Sequence, residues 1–292
     1  MTRILLTGSD GFIGSHYRKF LTNLGHNVIA IDKKSGVDLC NWGTVKNLKD
    51  VDCVIHLAAF NGTRKFYSQP YDVIRDSVLP TQHLLDRYSG KVDLFVLAGT
   101  CESYAGGIDL GIVDVPTPED VPLVVSDVSN PRWSYGGSKI VNELQVYSAY
   151  HQHNQSFQIL RYHNIYGPGQ QGHFIPEIVQ RFKQGDFTVY GSNETRSFCF
   201  IDDAVMATYQ LMLESSARNQ IINVGVDVES TIMDVASIIA RELQITQPLI
   251  PAGGMKGSVS RRNPDISKLK SLISWVPKTL LTDGIKLTIE SC

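Results

Sequence analysis

The chain has 292 residues, of which 19% are charged and 42% apolar, and a formal net charge of −2. That length buries a sizeable core and suits one large domain or two intertwined ones. The balanced charge offers no basic excess to hold a nucleic acid or an anionic membrane, so any phosphate must be bound by a local site.

The opening MTRILLTGSDGFIGSH runs straight into a strand-like segment without a cleavable apolar region, and no segment approaches the length of a membrane span. Cys40, Cys53, Cys101, Cys199 and Cys292 are scattered, odd in number and free of CxxC spacing. They read as reduced thiols of a cytoplasmic protein.

In chain order, RILLTG predicts a strand and residues 12–24 a helix. NVIAID leads through a linker to CVIHLAA, a helix follows over 70–89, then DLFVLAG, a helix from about 134, and FQILRYHNIYG. Short apolar runs separated by helical stretches read as buried parallel strands, hence an α/β fold with a Rossmann-type, doubly wound sheet. From GPGQQG onward the elements are shorter and more mixed: FTVYG, 202–214, IINVG, 231–242 and a tail with two short helices. The expected division is a dinucleotide-binding half over 1–165, rejoined by roughly 195–225, and a smaller mixed α/β substrate-binding half over 166–292.

LLTGSDGFIGSH sets Gly8, Gly11 and Gly14 at three-residue spacing between strand and helix. Glycine permits the tight turn and a close approach of backbone to a pyrophosphate, and Phe12 and Ile13 open a helix whose free N–H groups face the anion. Asp32 ends the next strand, where a carboxylate accepts ribose hydroxyls and repels a 2′-phosphate. NAD is therefore expected over NADP, a preference that Lys33 and Lys34 weaken.

PRWSYGGSKIVNELQ places Tyr135 and Lys139 at i, i+4, on one face of a helix. A phenol is a poor base at its ordinary pKa near ~10, and an adjacent ammonium stabilises the phenolate. Tyr135 can then take a hydroxyl proton while hydride leaves the same carbon.

With these motifs in this order the chain resembles the extended short-chain dehydrogenase/reductase family that modifies nucleotide-sugars. The resemblance covers nearly the whole chain: TGSDGFIGSH, Asp32, DL at 38–39, HLAA at 56–59, GTCESYAG, SYGGSK, RYHNIYGPG, TRSFCFIDDAV and RRNPDISK. It implies that Asp38 and Leu39 lie against the adenine, and Leu57, Ala58 and Ala59 on the ribose and nicotinamide side. Thr100 holds the reacting sugar oxygen beside Tyr135, and Lys139 holds the nicotinamide ribose. Asn164, Arg196 and Arg262 contact the nucleotide-sugar, the arginines near its diphosphate, where guanidinium forks suit phosphate oxygens. Tyr190 is a candidate to stack on the nucleobase or to end a strand in the core. The resemblance also implies a homodimer, with helices near 70–89 and 134–154 forming a four-helix bundle.

Within that family the residues after the threonine separate the chemistries, and here they read Thr100-Cys101-Glu102. Once C4 is a ketone the C5 proton is acidic, and Glu102 can remove it. Cys101 can give a proton to a departing hydroxyl or serve as a small filler. Thr-Cys-Glu followed by a Tyr, with PTPED downstream, looks like a UDP-N-acetylglucosamine 5,6-dehydratase, whereas NPRWSYGGSK and SRRNPDI look like the glucuronate decarboxylases. A dehydratase is the first expectation, followed by a decarboxylase or 4-epimerase. The rival from another class is a dinucleotide-binding regulatory protein that kept the fold and lost the chemistry.

Two departures stand out. Ser77 and Pro80 replace the Asn and Gly usual on the helix after HLAA, and a proline there is tolerated near a helix end. The interval from Tyr104 to Tyr135 is long, and residues 106–131 within it are expected to cover the pocket mouth. His151 and His153, at i, i+2, point to different faces of a helix and make a poor metal pair, so no metal is expected. His163 is expected in or near the pocket, and Asp202 and Asp203 at a helix cap.

Overall fold

The computed structural model describes residues 1–254 and 259–292. Six parallel strands form the main sheet in the order Gln220–Val224, Phe157–Tyr162, Leu94–Thr100, Cys53–His56, Arg3–Thr7, Asn27–Ile31. Every residue of Cys53–His56, Leu94–Thr100 and Phe157–Tyr162 is buried, which is why these strands read as unbroken apolar runs. Side-chain alternation splits the core between the two faces. Ile4, Leu6, Ile55 and Val96 pack with Tyr17 and Leu21 on one side, while Leu5, Val54, Phe95 and Leu97 pack with Leu84 and Tyr88 on the other. The α/β reading from the strand pattern holds, and IINVG belongs to this sheet as its last strand.

The order in which strands are added to the sheet reverses between Arg3–Thr7 and Cys53–His56, which run parallel with Thr7 opposite His56. Open parallel sheets bind ligands outside the carboxyl ends of their strands at such a switch. Here those ends lead into Gly8, Asp32, Leu57 and Cys101.

The helices Pro70–Tyr88 and Trp133–His153 pack together on one face. Pro80 sits inside Pro70–Tyr88 rather than at its end, buried, with Ser77 buried one turn before it. Lacking an N–H, it leaves the carbonyl of Asp76 without its usual helical donor.

A small sheet follows, with Thr195–Ser197 between Glu229–Thr231 (antiparallel) and Arg261–Arg262 (parallel). Its register sets Arg262 directly opposite Arg196. Asp202 and Asp203 are in the first turn of Ile201–Leu213, which Phe200 precedes as cap residue. They do not cap it: Asp203 accepts the N–H groups of Lys278 and Thr279 at 3.0 Å each, tying down the C-terminal segment, and Asp202 pairs with His16.

Candidate active site

A cavity of about 1330 Å³ runs along the carboxyl ends of the strands and into the cleft facing the small sheet. That volume exceeds a usual single-ligand pocket and suits two ligands end to end. Its lining includes every residue singled out from the sequence for cofactor, catalysis or substrate.

The glycine turn forms one wall. A Cβ on Gly14 would stand 2.0 Å from the Gly8 carbonyl oxygen, and one on Gly8, at φ +69°, would stand 2.8 Å from the Ala58 nitrogen. No side chain larger than hydrogen fits, so bare backbone faces the cavity. The helix Phe12–Asn23 begins there without a side-chain cap, leaving N–H donors toward that wall. Asp32 accepts the N–H groups of Asp10 (3.1 Å) and Lys34 (2.8 Å), which fix its carboxylate at the rim. Lys33 Nζ pairs with Asp76 at 3.1 Å and Asp38 at 3.4 Å, and Lys34 Nζ donates to the Asp10 carbonyl. Both lysines are therefore engaged by protein oxygens. Leu39 is buried beside them, its carbonyl taken by His83. Such a wall fits a dinucleotide with a free ribose 2′-hydroxyl.

Below it, Thr7 receives the Ala58 N–H and meets His56 Nδ1 at 2.7 Å, while His56 Nε2 meets the Thr81 hydroxyl at 3.0 Å. Thr81 donates to the Ser77 carbonyl, so it accepts from Nε2–H, and Thr7 donates to Nδ1. Burial pushes His56 down to about 3, so it stays neutral as a strut under Leu57–Ala59.

Thr100 ends its strand and begins a 3₁₀ turn over Cys101–Tyr104. Its hydroxyl oxygen accepts the Glu102 N–H at 3.3 Å, and its own hydroxyl hydrogen-bonds the phenol of Tyr135. Burial raises the pKa of Tyr135, and the Thr100 bond partly offsets this. Lys139 is buried and donates to the Ala98 carbonyl at 2.8 Å, with Nζ 5.9 Å from the Tyr135 ring centroid. In this geometry Thr100, rather than Lys139, is what lowers the phenol. Burial brings Lys139 itself down to about 8, opposed by Glu143 one turn on. Gly136 lets the helix lie against the catalytic turn: a Cβ there would be 3.1 Å from the Glu102 carbonyl oxygen.

Cys101 is buried, and burial raises its thiol above the ordinary value, so the proton stays on sulfur. Glu102 is ion-paired: Oε1 lies 2.5 Å from Arg262 Nη1 and Oε2 lies 3.4 Å from Arg132 Nη2. The sequence places Arg262 toward a diphosphate; the fold brings it to Glu102. Arg196 pairs with Glu194 at 2.7 Å, and burial followed by the charge of Arg262 brings it down to about 10. Asn164, at φ +40°, donates its side-chain amide to the Ser197 carbonyl. Tyr190 is 55% exposed with Arg181 over its ring at 4.9 Å, a surface position rather than a core one.

Residues 106–131 do not cover the mouth. No described residue between Glu102 and Arg132 lines the cavity. Thr117 instead pairs with the segment after Arg262, donating to the Asn263 carbonyl at 2.9 Å and accepting the Asp265 N–H at 3.0 Å. Glu119 and Thr117 also meet Asn223 on the last strand of the main sheet. Polar backbone that goes into the protein must find such partners. The mouth is lined instead by Phe60, Asn61 and Arg64–Tyr67 on one side and Gly169–Phe174 on the other.

Two groups went unassigned by sequence. Arg132 lies three residues before Tyr135, close enough to share its turn. Arg161 makes a buried bidentate pair with Glu143 (3.0 and 2.6 Å) and donates to the Tyr104 hydroxyl at 2.7 Å, which in turn donates to Asn223. His163 also joins Asn223, at 3.2 Å, behind the catalytic turn and outside the cavity lining.

Residues 4–225 match the model of the NAD dependent epimerase/dehydratase family. The UDP-N-acetyl-alpha-D-glucosaminuronate decarboxylase of Bacillus cytotoxicus is 29% identical over 318 residues, covering 99% of this chain and 97% of its own. The dTDP-D-glucose 4,6-dehydratase of Dictyostelium discoideum is 29% identical over 269 residues, 81% of this chain and 61% of its own. The crystal structure of Thermotoga maritima UDP-glucose 4-epimerase superposes with a TM-score of 0.88 at 24% identity, covering 99% and 98% of the two chains, which shows the shared fold. The match over residues 4–225 and the six-stranded sheet with its glycine turn lead to one conclusion: the chain belongs to the NAD dependent epimerase/dehydratase family.

Proposed function

We propose that this chain converts a nucleotide-sugar through a transient 4-keto sugar, and that it is a dehydratase. The observation that carries this reading is that Thr100, Cys101 and Glu102 open into the same cavity as Tyr135 and Lys139. Gly8, Gly11, Phe12, Ile13 and Gly14 would hold the NAD pyrophosphate, with Asp32 on the ribose hydroxyls, Asp38 and Leu39 near the adenine, and Leu57–Ala59 beside the nicotinamide. Bound NAD supplies the removal of hydride from C4 and its later return.

Tyr135 takes the C4 hydroxyl proton while Thr100 holds that oxygen and Lys139 the nicotinamide ribose. Glu102 then takes the C5 proton, acidified by the new C4 carbonyl. As a C5–C6 double bond forms, the C6–O bond breaks, and the protonated thiol of Cys101 gives its proton to the departing hydroxide, releasing water. Asn164, Tyr190 and Arg196 would hold the nucleotide part of the substrate.

A second reading, a uronate decarboxylase, is favoured by Arg262 at 2.5 Å from Glu102 and by the decarboxylase relative. Mass spectrometry of products from UDP-, dTDP-, GDP- and CDP-sugars, uronates included, separates the readings. Loss of one water supports the dehydratase, loss of carbon dioxide the decarboxylase, and an isomer of unchanged mass a 4-epimerase. A Tyr135→Phe variant with undiminished biological function would support a regulatory protein instead.

The assembly we infer is a cytoplasmic homodimer through Pro70–Tyr88 and Trp133–His153. Supporting it, Tyr71, Ile74, Val141, Leu144 and Tyr147 stand exposed on these helices. Light scattering on the wild type and on Leu144→Glu checks this: the expected result is a dimer that the substitution turns into a monomer.

A further inference from the structure

Glu102 is gripped from two directions. Arg262 reaches Oε1 from the small sheet, and Arg132 reaches Oε2 from the residue just before Trp133–His153. One helix start thus delivers Tyr135 to the cavity and Arg132 to the carboxylate beside it. Arg132 is anchored at its backbone and at its guanidinium. Its backbone N–H donates to Asn130 Oδ1 at 3.1 Å, and its guanidinium lies 5.5 Å from the Trp133 ring centroid. Both arginine side chains are 12% exposed, and the Nε of each is buried without a hydrogen-bond partner.

Leaving a buried guanidinium donor unmet costs about 1–3 kcal/mol or more, a cost that both arginines carry where they meet Glu102. Two cations against one carboxylate are also more than folding requires, because desolvating the second is unfavourable. What the pair does achieve is orientational. A carboxylate held at one oxygen can rotate about its terminal bond, whereas one held at both oxygens cannot.

We propose that Arg132 is a positioning residue for the C5–C6 step: with Arg262 on the other oxygen, it fixes the plane of the Glu102 carboxylate that receives the C5 proton. This rests on the proposed function, and it separates two stages of the reaction. Oxidation at C4 depends on Tyr135, Thr100 and Lys139, none of which is hydrogen-bonded to Arg132. Proton removal from C5 depends on Glu102.

The test mixes NAD-loaded wild type, Arg132→Met, Arg132→Lys and Glu102→Gln with the sugar the wild type converts, and follows both reduced nicotinamide absorbance and product. In Arg132→Met, reduced nicotinamide is expected to form at the wild-type rate and accumulate, as in Glu102→Gln, while product formation falls by about 100-fold. Arg132→Lys, with the charge but no fork, should recover part of the loss. Unchanged product formation in Arg132→Met overturns the proposal, and so does an equal loss of both signals, which marks a merely structural arginine. A crystal structure of Arg132→Met provides a readout without turnover: a rotated Glu102 carboxylate supports the proposal and an unmoved one overturns it. Failure of the functional reading looks different, because the wild type itself would then release carbon dioxide, give an isomer of unchanged mass, or give neither signal with any sugar.

Discussion

Phe66 stacks on Tyr135, with ring centroids 4.9 Å apart and planes 10° from parallel. The short helix Thr63–Ser68 thereby seals one face of the phenol from water. Burial is the main cause of the raised pKa of Tyr135, so removing this cover hydrates the phenolate and lowers that pKa. Phe66→Ala should shift the acid limb of the kcat/KM profile to lower pH, because a base with a lower pKa is deprotonated at lower pH. The same variant should lose about 3 kcal/mol of stability in urea unfolding.

Lys139 illustrates a conflict between stability and activity. Its folded pKa is about 8 against an ordinary value of 10.5, so the unfolded chain binds more protons between those values and stability rises with pH across that window. Below pH 8 the full penalty of burying the ammonium is present, roughly 3 kcal/mol, of which the lost bond to Ala98 returns about 1. Lys139→Met should therefore be more stable than wild type by about 2 kcal/mol at pH 7, with the gain vanishing near pH 10.5, and should have no measurable turnover. Urea titrations at the two pH values check the sign.

Gly136→Ala sets two effects against each other. Alanine favours a helix interior by about 1 kcal/mol, while its Cβ would press on the Glu102 carbonyl oxygen at 3.1 Å. Overpacking costs about 1–3 kcal/mol, so net stability should fall by about 1 kcal/mol. Activity should fall further, because relief of the contact moves the catalytic turn away from Tyr135, and a misplacement near 1 Å costs up to about 100-fold. Thermal unfolding and kcat measured on the same preparation test the disproportion.

Cofactor choice should depend on more than Asp32. Asp32→Ser removes the carboxylate that opposes a 2′-phosphate, but Lys33 remains paired with Asp76 and Asp38. The single variant should gain little affinity for NADP, and Asp32→Ser with Asp76→Asn should gain about tenfold more, as the second change removes the nearer of the two carboxylates holding the lysine. Calorimetric titration with both dinucleotides measures the coupling.

What the sequence made legible follows from distance along the chain. Strands buried on both faces show as unbroken apolar runs, and the glycine turn, Tyr135–Lys139 and Thr100–Glu102 are local patterns whose geometry follows from spacing. The pairings of Arg132 and Arg262 with Glu102, and of Arg161 with Glu143, join residues from separate elements and leave no periodic trace. Arg132 carried one usable signal, its place three residues before Tyr135. The interval 106–131 misled for a different reason: a long insertion before Tyr135 can cover a pocket or have its backbone paired elsewhere, and its length does not tell the two apart. Thr117 between Asn263 and Asp265, and Gly106 with a Cβ position 1.9 Å from the Val124 carbonyl oxygen, reflect packing that composition does not encode.

That anchoring has an evolutionary consequence. Residues 105–131 are joined through Asn223 and Arg161 to the main sheet and through Thr117 to the segment behind Arg262, so a change of length there is transmitted to the catalytic turn. Phe60, Asn61, Arg64–Tyr67 and Gly169–Phe174 line the mouth outside the strand pairings, and Gly62, Gly169 and Gly172 in these tracts adopt positive φ. Diversification of sugar preference on this scaffold therefore has two short tracts in which to proceed while the chemistry is inherited unchanged.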